Sequence, residues 1–451
     1  MATKKDLIEA QGFSRRRLLS AFTGGAPGGK ELEPAKPLRA VVAGIVLTAM
    51  VVLGGVFYGM IRPGLPTGWQ NNHLILASDS GARYLSVNGV LHPVINTASA
   101  RLLIPAGKFS VITTDQKTLA GITIGGTIGI PGAPDNLPSQ DALVGDGWAA
   151  CATDDAQTAV ALSQHPLLDT TTKATLVKSG TQLSVIAGEH RYTVDHDHAD
   201  SVLRAVGLDA SSAIDVDSRW LSLFEPGAPL TPITVPGAGT SIPGSGLEVG
   251  AVVHPQGSPD SQRFLVTAKG ELAPISPLAY QLYLLGSGAK FGVGRQVTPA
   301  EIASLATAKT PAGGVDWPST QLTAVAADAP RCALLSHTKN GDPHTALATL
   351  IPGTTLPSQA AGVRVSSNSG ALVRVGGSSA GGGMLYLIND AGTAYPIPGA
   401  NNDIIARLGY TPSNVTRVPE SWIDFMPAGT SLTEKAAGGS ANAGSVTAGG
   451  S

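Results

Sequence analysis

The longest unbroken hydrophobic stretch in the chain is Ala40 to Ile61, AVVAGIVLTAMVVLGGVFYGMI, 22 positions without a charge. As a helix it would rise about 33 Å, enough to cross a hydrocarbon core of ~30 Å. The pattern therefore predicts one transmembrane helix, and no later stretch is apolar for long enough to form a second. Beyond it, short runs of β-branched, aliphatic and aromatic residues alternate with glycine and proline. Three of these runs share a spacing: Tyr84 to Asn88 leads through Gly89 to Pro93, Phe264 to Val266 through Gly270 to Pro274, and Leu385 to Ile388 through Gly392 to Pro396.

Gly-x-x-x-Pro after an apolar strand predicts a hairpin: glycine permits positive φ in the turn, and proline ends a short second strand. A short helix should come next, since Thr97 to Leu103 and Asn402 to Gly409 each place a capping residue before closely spaced apolar ones. Arg191 to Val194 followed by Ala199 to Leu208 reads as a fourth, degenerate copy without the glycine and proline. Thr298-Pro299-Ala300-Glu301 carries the capping box and leading proline of another short helix. Strands with short helices, rather than alternating βαβ units, indicate α+β modules. The repeat-like segments lie near 74–106, 174–210, 260–306 and 383–412.

Composition fills in the remainder. The 56 glycines and 32 prolines gather in loops such as Pro131 to Pro134, Pro226 to Pro229 and Pro236 to Gly246, which read as turns and linkers. Residues 431–451 are mostly Ala, Gly and Ser with little to bury, so a disordered tail is expected there. The region 62–430 is long enough for two or three folding units.

Charge orients the anchor. Residues 1–39 hold eight Lys or Arg against four Asp or Glu, and after Arg62 the next basic residue is Arg83, so the positive-inside rule puts the N-terminus in the cytoplasm and 62–430 outside it. A cleavable signal peptide is the rival reading. The run is longer than an h-region, starts 40 residues in and ends without an A-x-A site. Ser14 to Leu19 has the look of a twin-arginine signal, but about 20 residues separate it from the membrane run; Arg15, Arg16 and Arg17 read as a cytoplasmic basic patch facing anionic lipid. The formal charge of −2 becomes −6 once the +4 of residues 1–39 is removed, which leaves no footprint for nucleic acid.

Cys151 and Cys332 both fall on the exported side, where disulfides persist. They are expected to be bonded to each other, closing a loop worth roughly 4–5 kcal/mol in the chain-entropy model; two buried free thiols are the alternative.

The residues resemble the EccB family, the membrane component of the type VII (ESX) secretion system. The resemblance rests on Phe13 to Phe22 before a single anchor, Tyr84 to Leu103, Ile128 to Pro134, Trp148 to Cys151, Trp220-Leu221 with Pro236-Gly237, and Leu385 to Tyr410. It implies a central core, here including 140–165 and 315–355, with Cys151 and Cys332 as its bridge and repeat modules around it that look like a phage lysin's cell-wall-binding subunit. It further implies a core subunit of an inner-membrane secretion complex, in contact with an FtsK/SpoIIIE-like ATPase and other membrane subunits and with its own copies. A protease partner and peptidoglycan are the remaining candidates for the repeats. Relative to the family, the second repeat is shortened around Asp195 to Asp200.

The family also carries an ATPase designation. The sole match to G-x-x-x-x-G-K is Gly24 to Lys30, followed by Glu31 in place of Ser or Thr, in a segment expected to be flexible; a working P-loop needs a preceding strand, a following helix and a hydroxyl for magnesium. No H-E-x-x-H or Cys-x-x-Cys motif occurs. Asp195-His196-Asp197-His198 is the densest titratable cluster; strand alternation would put its imidazoles on one face, yet a third metal ligand is missing. No catalytic residue, metal or cofactor is assigned. The chain reads as a structural subunit; a membrane-tethered peptidoglycan-binding protein is the alternative, and a nucleotide hydrolase a third.

Overall fold

The computed structural model describes residues 3–24, 37–61, 64–259, 261–354, 361–376 and 382–441, in two units, 1–65 and 66–451. Among its described residues the first unit contains two helices. Lys4–Gly24 replaces most of the expected flexible segment. Its start is fixed by Thr3, whose N–H and hydroxyl donate to the Asp6 carboxylate at 2.9 and 2.6 Å, and strong helix formers such as Leu, Lys, Arg, Glu and Gln continue it. Pro37–Ile61 opens on proline, whose missing N–H costs nothing at the first helical position. Its stretch Ala40–Tyr58 has a mean hydropathy of 2.5 and is the one helix among the described residues long and apolar enough to cross a membrane.

Among its described residues the second unit contains four copies of one β-β-β-α-β module. Module 1 comprises strands Leu74–Ala77, Arg83–Val87 and Val90–Pro93, helix Thr97–Leu103 and strand Val111–Thr114. Module 2 comprises Ala174–Ser179, Gln182–Ala187, His190–Thr193, helix Ala199–Val206 and Ile214–Asp215. Module 3 runs Val252–Pro255, Arg263–Val266, Leu272–Ile275, helix Pro277–Leu285 and Arg295–Val297. Module 4 runs Ala371–Val375, Met384–Ile388, Ala394–Ile397, helix Asn402–Arg407 and Thr416–Val418. In each, the first three strands form an antiparallel meander, and the helix returns the fourth strand parallel to the first.

The modules are larger than the repeat-like segments seen in the sequence. Those near 260–306 and 383–412 begin one strand late, because the leading strands Val252–Pro255 and Ala371–Val375 have no glycine-proline mark. Module 2 is a complete copy rather than a degenerate one. Its two-residue turn is Gly188-Glu189, with Ala187 paired to His190, whereas module 1 turns on Asn88-Gly89 between paired Val87 and Val90. Asn88 and Gly89 both have positive φ, as a type I′ turn requires, but in module 2 Gly188 carries it, the type II′ pattern. Moving the glycine one place earlier, with Thr193 where the other copies have proline, makes a complete copy read as a degenerate one.

A six-stranded sheet lies among the modules, in the order Gly362–Val365, Thr158–Leu162, Trp148–Ala152, Cys332–His337, Pro343–Leu350, Leu168–Thr170. Alternation along its strands gives it two apolar faces. One, with Trp148, Ala150, Leu162, Ala333 and Leu335, joins the largest hydrophobic cluster together with Trp220 and Trp422. The other holds Ala149, Leu168, Leu334, Ala348 and both cysteines.

Module helices pair across the chain. Val202, Leu203 and Val206 of module 2 pack with Leu278 and Leu282 of module 3, and Ala98 and Leu102 of module 1 with Ile405 and Leu408 of module 4. Each buried Leu or Val contributes about 1.5–3 kcal/mol. These short helices, too brief to be stable alone, are held by that burial.

The expected disordered tail is corrected as far as residue 441. Leu432 and Ala437 are fully buried, and Glu434–Ala437 forms a helix capped by Thr433. Residues 442–451 lie outside the described residues.

Candidate functional site

The cysteine pair sits at the centre of the core sheet. Cys151 and Cys332 face each other across neighbouring antiparallel strands, are bonded through sulfur at 2.03 Å, and are 181 residues apart in sequence. Both are buried, so the bridge braces the sheet and presents no thiol for chemistry.

The predicted turn residues are distributed among the modules rather than gathered into one pocket. Gly89, Gly270 and Gly392 all have positive φ, between 75° and 78°. Pro93, Pro274 and Pro396 each stand opposite an aromatic residue of the preceding strand, Tyr84, Phe264 and Tyr386.

The proline-side edges lead to a feature the sequence spacing did not reveal. In every module the chain returns after the fourth strand and hydrogen-bonds along the outer edge of the third, as a strap. Gly125 and Ile128 donate to Leu91 and Pro93, Gly227 and Leu230 to Arg191 and Thr193, Ala308 and Ala312 to Leu272 and Pro274, and Gly429 and Leu432 to Ala394 and Pro396, all at 2.8–2.9 Å. The residue between each pair of acceptors is His92, Tyr192, Ala273 or Tyr395. Where it is a ring the strap residue is glycine, and a Cβ there would collide with that ring; where it is Ala273 the strap carries Ala308. Each strap thereby covers an edge that would otherwise invite strand pairing.

Modules 2 and 4 share more of this return. Trp220 and Trp422, both fully buried, stand seven residues before Gly227 and Gly429, and Leu230 and Leu432 stand three after them. The indole N–H groups donate to Ala150 O and Thr345 Oγ1 at 2.9 Å, fastening both modules to the core sheet. The readable signal was W-[LI]-x-x-[FM]-x-x-G-x-x-L, present twice.

Modules 1 and 4 also exchange arginines. Arg101 donates to Leu408 O at 3.3 Å and Arg407 to Leu102 O at 2.9 Å, so each helix satisfies a terminal carbonyl of the other. Arg101 stacks over the Phe109 ring at 4.2 Å, and Arg407 also meets Asp403 and Glu434 at 2.7 and 3.3 Å. The Tyr410 hydroxyl donates to Pro138 O at 2.8 Å, and burial pushes its pKa upward, with nearby Arg101 acting in the opposite direction. Asp135 bridges to Arg83 and accepts from Thr97 N–H at 3.0 Å. Desolvation would raise its pKa, but the hydrogen bonds and charge from Arg83, with the Thr97 bonds, outweigh it and hold the carboxyl below the usual range.

The remaining candidates are separate from these. Arg15, Arg16 and Arg17 lie exposed on the first helix. Gly24 ends that helix, and the rest of the Gly24 to Lys30 stretch is outside the described residues. Asp195 to His198 is not a strand, so the expected one-sided imidazole pair does not form: His196–His198 is a 3₁₀ turn capped by Asp195, and His198 Nδ1 lies 3.1 Å from the Asp195 carboxylate. Among the described residues no group of three or more His, Cys, Asp or Glu is arranged to hold a metal ion.

A family model described as type VII secretion system ESX-1, transport TM domain B, matches residues 1–443. The ESX-3 secretion system ATPase EccB3 of Mycolicibacterium smegmatis is 27% identical over 452 residues, covering 88% of this chain and 82% of its own. The ESX-5 secretion system ATPase EccB5 of Mycobacterium marinum is 28% identical over 278 residues, covering 56% and 53%. An intact ESX-5 inner membrane complex contains a chain of the same fold, with a TM-score of 0.70 at 22% identity and coverage of 100% and 98%. An EccB3 dimer from the ESX-3 core complex gives 0.64 at 24%, covering 81% and 99%. Since that family model matches residues 1–443, a range that includes the apolar helix, the modules and the straps, the chain belongs to the EccB family of type VII secretion membrane components.

Proposed function

We propose that the chain is a structural core subunit of a type VII secretion complex in the inner membrane, with its N-terminus in the cytoplasm and the modules outside it. The carrying observation is the family match across residues 1–443, which takes in the basic first helix, the apolar helix and all four modules. The charge step across Ala40 to Ile61 supports the orientation. Small residues such as Ala43, Gly44, Gly54 and Gly55 suit close approach to other membrane helices, and the basic segment suits contact with an FtsK/SpoIIIE-like motor. Its work is positioning and association, with the modules meeting neighbouring copies.

Native-detergent purification of the tagged chain, read by mass spectrometry, tests the assignment. Recovery with a motor ATPase, other secretion subunits and further copies is expected; recovery as a lone monomer would refute it, and retention on isolated peptidoglycan under those conditions would favour the tethered cell-wall binder. The word ATPase in the names of the relatives is tested separately by Lys30→Ala, for which secretion is expected to be unchanged.

A further inference from the structure

Module 4 differs from its three siblings in the segment beyond its strap. The strap ends at Leu432, but the chain continues onto module 1. Thr433 caps helix Glu434–Ala437, accepting from Ala436 N–H at 3.1 Å, and Ala437 is buried in the cluster that holds Ala98 and Leu102 of module 1 with Ile405 and Leu408 of module 4. Glu434 lies 3.3 Å from Arg407, the arginine that reaches Leu102 O. The next residues then run antiparallel to the strap of module 1. Gly129 N–H donates to Gly439 O at 3.3 Å and Ala441 N–H to Thr127 O at 3.1 Å, with Ser440 bridged to Ile128. Module 1's strap, already paired on its inner side to the strand Val90–Pro93, is thus paired on its outer side by the C-terminal segment.

From this geometry we propose that residues 433–441 are a latch that closes module 1, the first module after the membrane helix in sequence, onto module 4, and that it opens independently of the modules it joins. The pairing is intramolecular β-augmentation, in which backbone bonds supply the attachment. It is weakly anchored for a joint of this reach. Ala437 is its one fully buried side chain, its bonds to module 1 are at the long end of the normal range, and Glu434 and Lys435 face solvent. The strap it extends is held by 2.8 Å bonds at Gly429 and Leu432. A segment with few apolar contacts and exposed hydrogen bonds belongs to the low-stability end of a fold. Opening it removes the acceptor of Gly129 N–H and the Glu434 partner of Arg407, while the module 4 strap, the tryptophan anchors and the core sheet keep all of theirs. Module 1 would then be held to module 4 by the helix pair, the arginine exchange and the packing of Ile130 in the shared cluster.

Hydrogen exchange read by mass spectrometry on the full-length protein in detergent, compared with a chain truncated after Thr433, tests this. Exchange across 125–130 and 97–103 is expected to rise on the order of 10-fold or more, with 427–432, modules 2 and 3 and the core sheet unchanged. Ala437→Asp, which puts a carboxylate into the buried site, and Ala441→Pro, which removes the N–H that donates to Thr127 O, should give the same local pattern in a chain of full length. Unchanged exchange at 125–130 in these variants would overturn the proposal. So would a uniform rise through module 4 and the core, which would make the segment an integral part of the fold.

Discussion

The pairing of strap glycine with strand aromatic makes a quantitative claim at Gly429. Its backbone is not in the left-handed region, so alanine meets no conformational penalty there. The obstacle is the Tyr395 ring, whose Cε1 and Cγ would lie 2.6 and 2.9 Å from the new Cβ, well inside van der Waals contact. Tyr395 is buried in the module 1–4 cluster and the strap is fixed by two 2.8 Å hydrogen bonds, so neither side can yield cheaply. Overpacking of this kind costs about 1–3 kcal/mol. In a Tyr395→Ala background the ring is gone and the local geometry becomes that of Ala273 opposite Ala308. There the same Gly429→Ala change should stabilise by about 0.4–1 kcal/mol, through the entropy it removes from the unfolded chain. The coupling between the two sites is therefore about 1.4–4 kcal/mol, well above the scatter for independent sites. A domain of this size moves in Tm by only about 1–2 °C per kcal/mol. Local hydrogen exchange of Ala394–Ile397 is the sharper assay, applied to both single variants and the double. A Gly429→Ala effect of the same sign and size with and without the Tyr395 ring would refute the complementarity.

Three further outcomes are expected. Replacing Cys151 and Cys332 by serine should destabilise the core by about 5 kcal/mol at most in the loop-entropy model for a separation of 181 residues, seen as an earlier denaturant midpoint that reductant reproduces in the parent. Arg407→Ala should cost about 1–3 kcal/mol by leaving the Leu102 carbonyl and Glu434 without their charged donor, with faster exchange in helices Thr97–Leu103 and Glu434–Ala437; effects confined to module 4 would contradict the arginine exchange. For Asp135 the folded carboxyl titrates below its unfolded value of ~3.9. Its contribution is therefore present above about pH 4 and lost as pH falls through the folded pKa. Arg83→Ala should shift acid loosening of residues 83–97 to higher pH, tracked by exchange across pH 5 to 2.

How much of the fold the sequence disclosed depends on where each signal is stored. The apolar helix and the hairpins are written locally, in an uncharged run and in glycines whose φ is positive, and these were legible. Module 2 read only as a degenerate copy because its turn uses Gly188 in the first central position, so an equivalent fold leaves a different spacing. The leading strands of modules 3 and 4 escaped because Val252–Pro255 and Ala371–Val375 lack the Gly-x-x-x-Pro spacing that marks the hairpins, although glycines flank both. The first helix was missed despite Thr3 and Asp6, since its apolar residues Leu7, Ile8, Leu18, Leu19 and Phe22 remain exposed and so give no core-facing stripe to recognise.

The straps show a deeper limit and a way past it. Gly125, Gly227 and Gly429 have no turn to make; they are glycine because a ring from another part of the chain occupies the space of their Cβ. Such a requirement is invisible at the glycine itself. It becomes visible only when internal copies are aligned through their hydrogen bonds and the partner is read beside it: His92, Tyr192 and Tyr395 against glycine, Ala273 against Ala308. Four copies within one chain then act as substitutions of one another in a shared frame. Size exchanged between strand and strap is what a packed contact under constraint must show, and a mere linker would show no such exchange. The same comparison singles out the C-terminal segment, because residues 433–441 are the part of module 4 that no sibling possesses. Its composition, mostly Ala, Gly and Ser, reads as disorder when judged by what it can bury itself, but its order comes from backbone donors and acceptors supplied by module 1, which composition cannot register.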